Sequence, residues 1–177
     1  TKLRPGLVTN NRLGGGLGDT ATPEQFIPVT GIQGDWETCM TMNGHWGYNA
    51  YDTNWKSSED LIRKLADICS KGGNFLLNVG PTAEGEFPAA CVERLRDIGR
   101  WLRVNGDSIY DTTSGPFAFL SWGVATRKGA TLYLHVFHWP KDGKLSVPLR
   151  NRVKSASLLV APGKKLAVAA DADRLLV

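Results

Sequence analysis

The 177-residue sequence is poor in cysteine, and its Cys39, Cys69 and Cys91 form an odd set with no CxxC pair and no metal-ligand spacing. That excludes a disulfide framework and a zinc site, and leaves buried free thiols as the reading. Histidine is equally scarce. His135 and His138 point to opposite faces of an alternating run and His45 has no partner at ligand spacing, so no metal site is expected from them. No apolar run approaches the roughly 20 residues that cross a bilayer; "FLLNVG" and "LLVA" are far shorter. A one-sided charge is missing too. The net charge of +4 comes from scattered Lys and Arg, which argues against nucleic acid as a partner. The chain contains no GxSxG elbow, and its glycine-rich "RLGGGLGDT" fits neither GxGxxG nor GxxxxGK[ST], so serine-hydrolase and nucleotide chemistry are set aside. Internal repeats and low-complexity tracts are absent. So are an initiator Met and the basic and apolar regions of a secretory leader, and the start reads as the inside of a longer protein.

What is present is an ordinary globular composition, 42% hydrophobic and 21% charged. "GLVTNN" predicts a strand ending at Asn10 and Asn11, with Arg12 just beyond it and Gly14, Gly15 and Gly16 stopping any regular element. Trp36 to Asn43 alternates and predicts a second strand, followed by a turn in which Gly44 and Gly47 bracket His45 and Trp46. Leu61, Ile62, Leu65, Ala66, Ile68 and Cys69 recur at helical spacing, opened by Ser57 with Asp60 three residues on and closed by Gly72 and Gly73. Asn74 to Gly80 predicts a strand buried on both faces of a parallel sheet. A second helix is expected over 88–105, with Val92, Leu95, Ile98 and Leu102 inward and Gly106 as its stop. Strand, helix, strand, helix is the grammar of α/β architecture. After Phe117 only short alternating runs remain, which predicts an antiparallel β domain beyond a linker at "YDTTSGPF".

Between two apolar runs lies a stretch with no helical period of its own, Gly18 to Met40, carrying Glu24 between Pro23 and Gln25. Loops of this length in compact domains are usually functional or disordered. Composition alone does not choose among Glu24, Glu37, Glu84 and Glu86, because any single Glu is most often a solvated surface group. Trp46 in its glycine-flanked turn suits stacking on a sugar ring about as well as it suits plain core packing.

The blocks "NNRLGGG", "GDTATPEQFIP", "DWETCMTMNGHWGYN", "NWKSSEDLIRKLADICSKGGNFLLNVGPTAEGEFP" and "VERLRDIGRWLRVNGDSIYDT" choose for it. In this order and spacing they resemble the α-L-fucosidase family of retaining glycoside hydrolases. The resemblance implies residues 1–112 as late strands of an irregular (β/α)8 TIM-like barrel and 113–177 as a C-terminal antiparallel β-sandwich, cut short at "DRLLV". It implies an exo-acting enzyme that removes terminal α-L-fucose from a fucosylated oligosaccharide or glycoconjugate, without metal or cofactor. Its Asp nucleophile would lie upstream, outside this chain.

Glu24 of "TPE" matches the family's acid/base, delivered by the long loop over the barrel mouth. Arg12 of "NNR", where the family often has "NDR", would hydrogen-bond the fucose ring; Asn11 in place of Asp removes a charged role there. Trp46 matches an aromatic lining the pocket near the sugar's methyl group, and Trp36 and Glu37, which match the family motif too, are read as support for the pocket wall. The partner implied is the remainder of the same barrel, so the segment alone is expected to be inactive. The setting implied is secreted, periplasmic or lysosomal. A non-catalytic fucose-binding or scaffold protein built on the same barrel is the alternative, to be separated by whether the upstream Asp exists.

Overall fold

A parallel sheet forms around the apolar runs of the first half. The computed structural model describes residues 4–171 and 174–177. In it Thr20–Ala21 (β1), Asp35–Thr41 (β2) and Asn74–Asn78 (β3) lie side by side in that order, all parallel, with Ala21 opposite Trp36 and Cys39 opposite Leu76. Parallel pairing of β2 and β3 needs a crossover, and helix α1 (Ser58–Ser70) supplies it. Its start follows from the sequence: the Ser57 hydroxyl accepts the Asp60 N–H at 3.0 Å, with Glu59 and Asp60 in the first turn where the helix dipole favours carboxylates. Leu61, Ala66 and Ile68 are buried beneath it. The chain leaves through Gly72 at φ +79°, a left-handed exit that glycine adopts freely.

Helix α2 (Ala89–Asn105) covers the expected span, but its inward face is turned. Cys91 is buried and Ile98 packs on the cluster of Met42, Leu61 and Cys91, whereas Leu95, expected inside, is 37% exposed. Arg94 takes the inward place. Its Nε donates to the Lys56 carbonyl at 2.6 Å and its guanidinium stands 5.7 Å from the Trp55 ring centre, so a long polar side chain fills what the pattern assigned to leucine. Gly106 ends the helix in right-handed geometry, at φ −55°, by running into a 3-10 turn at Gly106–Ser108.

Three further expectations are corrected. "GLVTNN" forms no strand; only Asn10 makes a bridge, to Thr20, because the Thr9 N–H and hydroxyl are both taken by the Asp19 carboxylate at 2.8 and 3.0 Å and the Thr9 carbonyl by the Asp19 and Thr20 amides. β2 does not alternate in burial, being covered on both sides from Thr38 onward, while β3 is open on one face, with Leu76 50% exposed. Trp36 is fully buried, its ring lying where a Cβ on Gly73 would come within 2.4 Å.

The second half is antiparallel throughout. Thr113–Ser114 (β4), Gly123–Lys128 (β5) and Thr131–Val136 (β6) form one sheet. Ser146–Val147 (β7) belongs to another, Ser157–Leu158 (β8) pairs with Ala161–Lys165 (β9), and Ala169–Asp171 (β10) and Arg174–Leu176 (β11) complete the sheet of β7 in the order β10-β11-β7. Trp122, Leu145, Val147 and Leu175 bury together, with Leu134 and Val136 of β6 packed on them, so the two three-stranded sheets share one apolar core. The expected linker is hydrogen-bonded structure. Thr113 and Ser114 pair with β5, Gly115 donates to the Ser70 carbonyl at 3.1 Å, and Arg63 of α1 reaches the Phe137 carbonyl at 2.9 Å.

Candidate active site

The long segment after β1 is not a free loop. Thr22 and Pro23 carry the chain on beside β2, and Glu24 bridges in parallel to Cys39: the Cys39 N–H donates to the Pro23 carbonyl at 3.1 Å and the Gln25 N–H to the Cys39 carbonyl at 2.9 Å. Glu24 thus stands on a short sheet-like piece of backbone within the helix-free stretch; Pro23 hid this strand character from the sequence pattern. Directly after it Gln25 adopts φ +63°, a left-handed conformation that costs a non-glycine residue on the order of 1 kcal/mol. Its side chain is held against β2, where the Gln25 Oε1 accepts the Thr41 N–H at 3.3 Å. The chain therefore turns away sharply and leaves the Glu24 carboxylate on the open side.

Arg12 approaches from the 3-10 turn Asn11–Leu13, opened by Asn10, whose side-chain oxygen accepts the Arg12 N–H at 3.1 Å. Three groups orient its guanidinium. Nε donates to the Thr22 hydroxyl at 3.1 Å, Nη2 to the Cys39 sulfur at 3.2 Å, and the same Nη2 lies 2.8 Å from Glu24 Oε2. The Glu24 contact is the main cause holding the Arg12 pKa above its ordinary value. Asn11 docks the two arms together, its side-chain oxygen accepting the Thr22 N–H at 3.1 Å and the Thr22 hydroxyl at 2.7 Å. Gly18 makes the approach possible, because a Cβ there would fall 2.5 Å from the Asn10 carbonyl carbon and oxygen.

Trp46 follows the C-terminal end of β2, in the Gly44–Gly47 turn, and is 41% exposed. Its carbonyl accepts the Asn78 side-chain N–H at 2.7 Å from the end of β3. Lys56 braces the same strand end, donating to the Thr41 and Asn43 carbonyls at 2.8 and 3.3 Å; burial pushes its pKa below the usual lysine value.

Arg12, Glu24 and Trp46 surround one open depression of ≈ 340 Å³, at the lower end of the roughly 300–1,000 Å³ usual for small-molecule sites. Glu37 and Cys39 of β2 and Leu76 of β3 form its floor. Sequence reasoning did not single out Cys39 or Leu76; the signal was the strand period that puts Cys39 on the face of Glu37, and the register that puts Leu76 opposite Cys39. A charged fork, a carboxylate at its side and an apolar ring beside a leucine make a surface suited to a small ring with hydroxyl groups on one edge and a methyl on another. Glu84 and Glu86 lie outside this lining. Among the described residues no group of three His, Cys, Asp or Glu side chains could hold a metal ion, and no helix is long and apolar enough to cross a membrane.

A family model described as alpha-L-fucosidase matches residues 1–107. An alpha-L-fucosidase of Dictyostelium discoideum is 36% identical over 151 residues, covering 80% of this chain and 32% of its own. Among solved structures, alpha-L-fucosidase isoenzyme 1 of Paenibacillus thiaminolyticus superimposes with a TM-score of 0.91 at 36% identity, over 99% of this chain and 46% of its own. The Bacteroides thetaiotaomicron alpha-L-fucosidase, trapped as a covalent intermediate with 2-fluoro-fucosyl fluoride in a Glu-to-Gln mutant, gives 0.89 at 26% identity, over 99% of this chain and 46% of its own. The chain spans about a third of the length of the curated relative and under half of the solved ones.

Proposed function

The chain belongs to the alpha-L-fucosidase family, and from that premise we propose that the protein carrying it releases terminal α-L-fucose from fucosylated glycans with retention of configuration, using Glu24 as acid/base. The observation that supports this reading is the convergence of Arg12, Glu24 and Trp46 on one depression of suitable size. In this reading residues 1–112 are the late part of a (β/α)8-like barrel and 113–177 its β-sandwich. The depression then faces the remainder of the barrel, which brings an Asp nucleophile to within about 5–5.5 Å of Glu24, the separation that retention requires.

In the first step the nucleophile attacks the anomeric carbon, the glycosidic C–O bond breaks, and the leaving oxygen takes its proton from Glu24. In the second, the Glu24 carboxylate takes a proton from water, whose oxygen attacks the same carbon and displaces the enzyme carboxylate. Arg12 serves both binding and proton transfer. Its Nη2 faces Glu24 and the depression together, and a half-exposed ion pair is weak enough to exchange cheaply for hydrogen bonds to sugar hydroxyls. When the sugar takes that donor, the Glu24 carboxyl is released from Arg12 and can turn toward the glycosidic oxygen. Trp46 offers its ring to the methyl-bearing edge of the sugar. The covalent intermediate trapped in the Bacteroides relative supports the two-step course.

The test is hydrolysis by the full-length protein and by Glu24→Gln. Loss of activity on natural fucosides with much smaller loss on aryl fucosides, whose leaving groups need no proton, is the expected result. Equal loss on both classes removes Glu24 from the acid role.

A further inference from the structure

The turn that carries Trp46 is tied down by a residue the reading above gives no part. Asp52 lies six residues past Trp46, and its side chain is only 6% exposed. Its Oδ2 accepts two hydrogen bonds from the turn, from the Gly44 N–H at 2.8 Å and from His45 Nδ1 at 2.7 Å. Its Oδ1 accepts the Asn54 N–H at 3.0 Å, which fixes the carboxylate itself. On the far side of the imidazole, Asn49 Nδ2 meets His45 Nε2 at 3.1 Å, while the Asn49 side-chain oxygen is occupied by the Tyr51 N–H at 2.9 Å. The pattern fixes the tautomer: Nδ1 carries the proton toward Asp52 and Nε2 accepts from Asn49. His45, half-exposed and immediately before Trp46, is thereby clamped at both ring nitrogens.

We propose that Asp52, acting through His45 and the Gly44 amide, is a positioning residue that sets the angle at which Trp46 meets the sugar. The geometry leaves Asp52 no direct contact with the depression, whose lining includes neither Asp52 nor His45. Its influence must therefore pass through the turn. Gly44 is part of the device, since a Cβ there would sit 3.1 Å from Asp52 Oδ2 and push the carboxylate off the amide. The fixed end of the turn is Gly47, whose carbonyl carbon a Cβ on Gly80 would reach at 2.6 Å, so only glycine at 80 lets this close packing stand. With one end packed on β3's exit and the other hydrogen-bonded to Asp52, the ring of Trp46 is held at a single pitch. This inference rests on the fucosidase reading of the same site.

The experiment is a double-mutant cycle in the full-length protein, with an iminocyclitol fucose mimic as binding probe and an aryl α-L-fucoside as substrate. Asp52→Ala and Trp46→Ala are each expected to weaken iminocyclitol binding by roughly tenfold, the scale of one well-placed aromatic contact. The Asp52→Ala/Trp46→Ala double variant is expected to bind no worse than Trp46→Ala alone. Asp52→Asn, which keeps one acceptor oxygen for the turn, should recover part of the loss. If Asp52→Ala fails to fold, His45→Ala runs the same cycle with the carboxylate in place, and the same non-additivity is expected. Losses that multiply in the double variant, or an Asp52→Ala protein that binds as tightly as wild type, overturn the positioning role and leave the fucosidase reading standing. A wild-type protein that neither binds the mimic nor releases fucose overturns both.

Discussion

Arg12 Nη2 and Glu24 Oε2 meet at 2.8 Å although they sit on two arms that reach the sheet independently, one through a 3-10 turn and one along the edge of β2. Asn11 and Thr22 bind those arms to each other, and Cys39 of β2 contacts the same guanidinium nitrogen. The proposed acid and the proposed sugar-binding cation are thus one preassembled unit. Its pieces are set by short-range hydrogen bonds, so small changes in any of them should appear in catalysis rather than in folding.

Replacing Arg12 by Lys keeps the charge and loses the fork. Lysine cannot serve Thr22, Cys39 and Glu24 together from one planar group. For Arg12→Lys in the full-length protein, kcat/KM for an aryl fucoside should fall by about 10- to 100-fold, with the thermal midpoint close to wild type.

Asn11 acts through its side-chain oxygen, which accepts from Thr22 twice. A carboxylate can make the same two contacts, so Asn11→Asp should leave fucoside kcat/KM within about threefold of wild type, whereas Asn11→Leu strands both donors and should lower it by tenfold or so. Steady-state rates on the two variants check this.

Gly73 lies against the Trp36 ring, with a Cβ placed at 2.4 Å from it. Because Trp36 is fully buried and cannot step aside, Gly73→Ala should destabilise the fold by about 1–3 kcal/mol, read from the urea midpoint.

His135 gives the fold a pH limit. It is buried, its Nε2 lies 3.2 Å from the Thr126 hydroxyl, and burial pushes its pKa down to about 4. Above the ordinary value of 6.5 the ring is neutral in both folded and unfolded chains and adds no pH dependence. As pH falls below 6.5 the unfolded chain takes up the proton first, and stability declines until the folded ring protonates near 4. The loss over that window should be about 3 kcal/mol. Urea unfolding at pH 7 and pH 4.5 should show this share of the decline in wild type and not in His135→Gln.

Much of the parallel half was legible because its signals are local. Ser57 with Asp60, the helical period from Leu61 to Cys69 and the exit at Gly72 fix α1 without reference to anything distant. What failed depended on distant partners. The outward turn of Leu95 follows from Arg94 finding the Lys56 carbonyl and the Trp55 ring. The missing first strand follows from Asp19 claiming Thr9. At the site, Arg12, Glu24 and Trp46 were marked by wording that resembles a family, while Cys39 and Leu76 required the register of β2 against β3. The strand character of Glu24 was masked by Pro23, which still offers its carbonyl to Cys39.

The central claim, that a terminal fucose seats against Arg12, Glu24 and Trp46, is tested most directly by a crystal structure of the full-length protein with an iminocyclitol fucose mimic bound. The account predicts the ring within hydrogen-bond distance of the Arg12 guanidinium, its methyl against Trp46, and Glu24 turned from Arg12 toward the anomeric position. A mimic bound elsewhere, or a Glu24 carboxylate still paired with Arg12 and directed away from the anomeric carbon, would contradict it.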